Sequence, residues 1–232
     1  MSIADNLLKY KNELDSAGVK LVAVSKNHPA EAILTAYNAG QRVFGENLVQ
    51  EMVEKQAQLP QDIEWHLIGH LQSNKVKYIA PFIKLIESVD SLKLLKEIDK
   101  QAAKNNRVID CLLQIYIADE ETKFGLGFDE AIELLRSEEF TTLKNVRIIG
   151  LMGIATNTAL DGQTKAEFQE LKVLFDGIKL SFFRKEDSFK EISMGMSSDY
   201  QIAVEQGSTI VRIGSNIFGK RVIKHWKTAD GN

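Results

Sequence analysis

Eight short, β-branched apolar runs recur along this chain, each followed by a longer helix-compatible stretch, and that alternation constrains the fold more than any other feature. The runs cover residues 21–26, 42–47, 65–69, 85–89, 111–117, 148–154, 191–195 and 209–214. Between them, residues 29–39 begin at Pro29 and stop at Gly40, the usual helix punctuation. Residues 91–105 carry Leu92, Leu94, Leu95 and Ile98, and residues 164–180 carry Phe168, Leu171, Leu174, Phe175 and Ile178, both at helical spacing. Residues 2–17 read as an extra helix before the first strand. Strands alternating with helices predict a parallel α/β fold, and eight is the number at which such a sheet closes into a (β/α)8 TIM barrel. The chain has 232 residues, close to the ~250 of such a barrel, so one domain over 1–232 is expected. An open doubly wound sheet is the competing architecture. Its nucleotide fingerprint is broken, because Gly125-Leu126-Gly127 is followed by Glu130 where a third glycine belongs.

Composition narrows the partners. A formal charge of -3 leaves no basic footprint for nucleic acid or an anionic membrane surface. Cys111 is the only cysteine, which excludes intramolecular disulfides and a cysteine-rich zinc site. Residues 1–10 have no apolar leader, and no run approaches the ~18 apolar residues of a membrane span. A cytoplasmic location is expected, with no membrane or nucleic-acid partner.

In a barrel, chemistry collects at the C-terminal ends of the strands. Lys26 ends the first run and shares the parity of Val22 and Val24, so an extended chain turns all three to one face. Such a lysine either snorkels to water or is desolvated into a free amine suited to Schiff-base chemistry. The segment 193–200 reads as strand, glycine turn and helix start, with Ser197 or Ser198 as the cap. Alone it is a capped helix or an anion site. Gly214-Ser215 repeats the device after the last strand, and two such turns on strands seven and eight match the usual phosphate site of the barrel. Arg212 shares the parity of Ile210 and Gly214, and faces the same side as a ligand unless it serves an ordinary ion pair.

Two motifs are discounted. Gly214 to Lys220 spells a P-loop, but Arg221 stands where Ser or Thr holds magnesium. His66 and His70 are four apart in what reads as a strand, which separates them by ~13 Å, so no metal site is expected.

Val22-Ala23-Val24-Ser25-Lys26, Phe44-Gly45-Glu46-Asn47, the stretch from Trp65 to Lys75, Gly150-Leu151-Met152, Ser193-Met194-Gly195-Met196-Ser197 and Val211-Arg212-Ile213-Gly214-Ser215 together resemble the pyridoxal phosphate homeostasis protein family. That family is similar to the N-terminal barrel domain of alanine racemase. The resemblance runs from about residue 5 to 225. It implies that Lys26 holds pyridoxal 5'-phosphate as a Schiff base, that Ser197, Gly214 and Ser215 hold the phosphate, that Arg212 meets the pyridine nitrogen, and that Asn47 and Met196 line the ring. A guanidinium only donates, so it would keep that nitrogen unprotonated and weaken the ring as an electron sink. Lys123 and Gly125 also match a family motif, without a role assigned to them. In alanine racemase the second base is a tyrosine from a β-rich second domain, which this sequence is expected to lack. The resemblance therefore implies a monomer acting in vitamin B6 homeostasis, binding and carrying the cofactor, with apo-enzymes as recipients, rather than a robust catalyst. A small amino-acid racemase and a Schiff-base aldolase are the alternatives from the enzyme class.

Overall fold

The computed structural model describes residues 2–118 and 124–220. Eight parallel strands close in sequential order: β1 (Lys20–Val24), β2 (Val43–Glu46), β3 (Glu64–Leu67), β4 (Leu85–Val89), β5 (Ile109–Ile115), β6 (Val146–Gly153), β7 (Glu191–Ser193) and β8 (Ile210–Ile213). Pairing of β8 with β1, Leu21 beside Val211 and Val22 beside Arg212, closes the sheet. The expected (β/α)8 barrel is therefore present, and the open-sheet alternative is overturned by that last pairing. Among the described residues no helix is long and apolar enough to cross a membrane.

Strand ends are shorter than the apolar runs that announced them. β1 stops at Val24, so Ser25 and Lys26 lie in a turn and not in the strand. The cause is local: Asn27 takes φ 62° and His28 N–H turns back to the Ser25 carbonyl at 3.1 Å. Asn47, Gly69, Gly195 and Gly214 likewise fall beyond their strands.

The N-terminal helix, Ile3–Ser16, begins with a reciprocal cap. Ser2 Oγ accepts from Asp5 N–H at 3.2 Å while the Asp5 carboxylate accepts from Ser2 N–H at 3.0 Å. Leu7 and Leu14, one heptad apart, are its buried contacts with the barrel. Pro29 stands at the N-cap of Ala30–Asn38, one position earlier than expected. Ser91 caps Leu92–Lys104, accepting from Leu94 N–H at 3.3 Å. The long helix Asp161–Phe182 starts three residues before the expected boundary.

Alternation divides the apolar residues into two layers. Ala23, Phe44, Trp65, Ile86, Cys111, Leu113 and Ile213 point outward and pack under the helices. Val22, Leu85, Leu112, Met152 and Ile210 point inward and form an apolar floor in the barrel. Two residues further along β4, β5 and β8, the same inward parity carries Glu87, Gln114 and Arg212, all buried. The barrel is thus apolar at its base and polar toward the C-terminal ends of the strands.

Candidate functional site

The polar layer is one connected network. Arg212 Nη1 donates to Ser193 Oγ at 2.5 Å, and Nη2 donates to the Gly153 carbonyl at 3.0 Å. Ser193 Oγ donates in turn to Glu87 Oε2 at 2.5 Å, and His66 Nδ1 lies 2.7 Å from Glu87 Oε1. Arg212 Nη1 is itself 3.8 Å from Glu87 Oε2. Burial alone would raise the Glu87 pKa. The His66 hydrogen bond and charge, with Arg212 and Ser193, more than offset it and hold the carboxyl below its ordinary range. An ionised Glu87 only accepts, so His66 Nδ1 carries the proton. Burial lowers Arg212, and the charges of Glu87 and Asp199 oppose that. Arg212 therefore joins a buried four-residue network, more than the simple pair considered from sequence.

Above this layer the strand ends hold the remaining expected residues. Ser197 Oγ accepts from Gly214 N–H at 3.3 Å, and Asn216 Nδ2 donates to the Ser197 carbonyl at 3.0 Å. The two glycine corners after β7 and β8 thus meet, and Ser215 beside them is exposed. Gly214 is favoured here by a close approach to β1. A Cβ would sit 3.1 Å from the Val24 carbonyl oxygen and 3.3 Å from Val24 Cβ. Neither Ser197 nor Ser198 caps the following helix. Asp199 is the N-cap of Tyr200–Glu205, and its carboxylate instead accepts from Met196 N–H at 2.5 Å, ordering the turn from within.

Asn47, directly after β2, borders a cavity of about 290 Å³ over the ends of β2, β3, β5 and β6, together with Ile68, His70, Gln114, Tyr116 and Phe124. Ser197, Gly214 and Ser215 do not line it. Strand order places β1 between β8 and β2. Half-buried Lys26, two residues past β1, therefore stands between the Ser197–Gly214 corner on one side and the Asn47 cavity on the other. His66 and His70 have separate acidic partners, His70 Nδ1 lying 3.0 Å from Asp90 Oδ2. Lys123 and Arg221 lie outside the described residues. Gly125 precedes Leu126, whose N–H donates to the Gln114 carbonyl at 2.8 Å, so residues 124–126 dock onto the end of β5.

Sequence reading missed a second buried group behind β1 and β2. Lys55 Nζ donates to Glu46 Oε1 and Glu51 Oε1, both at 2.7 Å, and to the Ser25 carbonyl at 2.8 Å. Ser25 Oγ donates to Glu46 Oε1 at 2.6 Å. Glu51 and Lys55 look like a surface i,i+4 pair, and only tertiary packing reveals them as buried. Glu87 was visible as a carboxylate at inward parity in an apolar run.

Burial lifts Glu46 from 4.5 to about 7. Lys55 opposes the rise, Glu51 adds to it, and the Lys55 and Ser25 hydrogen bonds offset part of it. A carboxyl that binds its proton more tightly when folded contributes stability that is fully present below 4.5 and lost as pH rises to about 7. The expected contribution is about 3 kcal/mol. In urea unfolding, Glu46→Gln should compare more favourably with the parent at pH 7.5 than at pH 5. An unchanged difference between the two would contradict the assignment.

The match to known proteins agrees with this geometry. The family model of the alanine racemase N-terminal domain matches residues 1–222. Over 204 residues, 87% of each chain, the sequence is 42% identical to the pyridoxal phosphate homeostasis protein of Aquifex aeolicus. Two solved structures of PipY from Synechococcus elongatus are 38% identical and cover 94% of this chain and 100% of theirs. The TM-score is 0.87 for the one without PLP and 0.84 for the one with PLP bound. The chain belongs to the alanine racemase N-terminal domain family and, within it, to the pyridoxal phosphate homeostasis proteins.

Proposed function

We propose that this protein binds pyridoxal 5'-phosphate through Lys26 and serves cytoplasmic vitamin B6 homeostasis by holding the cofactor and releasing it to apo-enzymes. The observation that carries this reading is the position of Lys26 between the Ser197–Gly214 corner and the Asn47 cavity. A PLP-bound relative at 38% identity over 94% of the chain supports it.

The donor set fits the group. The Ser197 hydroxyl and the Ser215 N–H suit a phosphate, because hydroxyl and backbone donors lie at two adjoining corners, which Gly214 joins by donating its N–H to Ser197 Oγ. Asn47 and Met196 would hold the ring, and Arg212 would donate to its nitrogen. Bound there, the cofactor supplies an aldehyde that an amine attacks with loss of water, and an electron-withdrawing ring. Lys26 supplies the amine. Arg212 keeps its protons and so leaves the ring nitrogen unprotonated, which favours storage over carbanion chemistry. Exposed Ser215 leaves the phosphate corner open to solvent, as release requires. All these residues come from one chain, so the reading needs no second copy.

The test is the optical spectrum of purified protein mixed with pyridoxal phosphate, before and after borohydride, with peptide mapping. Label on Lys26 is expected, and Lys26→Ala should lose the reducible band. A full band in Lys26→Ala would overturn the role of Lys26. Rapid α-proton exchange on amino acids in D2O, on the order of 1–10³ per second, would favour a racemase instead. Ser197→Ala should weaken cofactor retention by about 1.5–3 kcal/mol, the worth of a hydrogen bond to a charged group. Equilibrium dialysis measures it, and parental retention would remove Ser197 from the phosphate site.

A further inference from the structure

Lys26 is held from both sides by the buried group behind β1 and β2. It occupies the second position of a turn closed by His28 N–H to the Ser25 carbonyl at 3.1 Å. The third position, Asn27, takes φ 62°, the left-handed region that such turns usually fill with glycine. Asn27 N–H donates to Glu51 Oε1 at 2.6 Å. That same oxygen accepts from Lys55 Nζ at 2.7 Å, and Lys55 also grips the Ser25 carbonyl at 2.8 Å. Ser25 Oγ is tied to Glu46. Both neighbours of Lys26 are thus bound to one cluster, in which Glu46 and Glu51 are fully buried and Lys55 is 2% exposed. Two carboxylates and one ammonium in an apolar shell are costly to desolvate, and apolar side chains of the same volume would pack there at least as well. What the ions add is direction, because Glu51 accepts from the Asn27 N–H and Lys55 donates to the Ser25 carbonyl, both on the backbone of the turn.

We propose that Glu51, set by Lys55, is a positioning residue that fixes the Asn27 backbone so that the Lys26 amine is presented for covalent capture of the cofactor. The inference rests on the cofactor reading above. The Ser197–Gly214 and Ser197–Asn216 hydrogen bonds of the phosphate corner involve none of Ser25, Glu46, Glu51 or Lys55, so binding of the cofactor and its covalent capture should separate.

The experiment follows covalent capture after mixing apo-protein with pyridoxal phosphate, by growth of the borohydride-reducible band, alongside retention by dialysis. Glu51→Ala is expected to slow capture about tenfold, the scale set by a small misplacement of a reacting group. Retention of the unlinked cofactor should change less than about threefold, since the phosphate donors are untouched. Adding Asn27→Gly should restore capture, because glycine holds a positive φ without help. Glu51→Gln, which keeps an acceptor for Asn27 N–H, should lie between the two. Parental capture in folded Glu51→Ala, or no rescue by Asn27→Gly, overturns the proposal. Should Glu51→Ala not fold, Asn27→Val makes the test from the other partner. A β-branched residue resists positive φ, so slowed capture supports the proposal and a parental rate overturns it. Absence of any capture by the parent protein would instead sink the cofactor reading itself.

Discussion

Arg212→Met is expected to destabilise the folded protein by about 3–5 kcal/mol, the penalty for removing one partner of a buried ion network. Arg212 and Glu87 are both nearly inaccessible, at 4% and 0% exposed. Without the guanidinium, Ser193 Oγ and the Gly153 carbonyl lose a donor, and Glu87 keeps a negative charge in the barrel interior with only His66 and Ser193 to answer it. Glu87 is held below its ordinary 4.5, so its native contribution is present above that pH and lost as pH falls through the folded value. The Arg212→Met penalty should therefore be greatest near neutrality and shrink on acidification, as Glu87 takes up a proton. Adding Glu87→Gln should recover part of the loss, because the stranded charge is gone. Urea unfolding at pH 7 and pH 4 compares both variants with the parent. A loss under about 1 kcal/mol at pH 7 would show that the network does not bear on stability.

Gly150→Ala is expected to cost about 3 kcal/mol or more, at the upper end of overpacking. The register of β5 on β6 slips between Cys111 and Leu112, which pair with Ile148 and Gly150, so Ile149 is an extra bulged residue. The bulge presses Gly150 against β7. A Cβ would lie 1.7 Å from the Glu191 carbonyl oxygen and 2.6 Å from its carbon. Both are backbone atoms of the paired strand, so no side chain can swing aside and the two strands must part. For a chain of this size the melting temperature should fall by roughly 6–12 °C. Gly177→Ala is the control. It lies in Asp161–Phe182 with open space around it, and should stabilise by about 0.5–1 kcal/mol. A Gly150→Ala melting point within about 2 °C of the parent would refute the packing argument.

Strand number and order were readable because each strand is a short apolar run flanked by helix punctuation, and the rule for parallel sheets then leaves few topologies. Lys26, Arg212 and the two glycine corners were readable for a related reason. Position after a strand, for Lys26 and the corners, and parity along a strand, for Arg212, are one-dimensional properties; parity does not reach Lys26, because β1 stops at Val24. Parity also carried Arg212 to the interior correctly, but not to its partners.

Partners across the sheet are what the tertiary structure decided. Glu87 and Ser193 are 106 positions apart, yet share a hydrogen bond because barrel closure brings inward positions of distant strands to one level. Glu51 and Lys55 read as an exposed helix pair until β1 and β2 cover them, leaving Lys55 at 2%. Asn27 is a residue type that tolerates φ 62° locally, but the Glu51 carboxylate that meets its N–H is supplied only by the fold. The sequence by itself determined the barrel, its closure number and the amine at the end of the first strand, because these follow from local pattern. Burial and long-range charge pairing determined how that amine is held, because both arise only when residues far apart in the chain exclude water together.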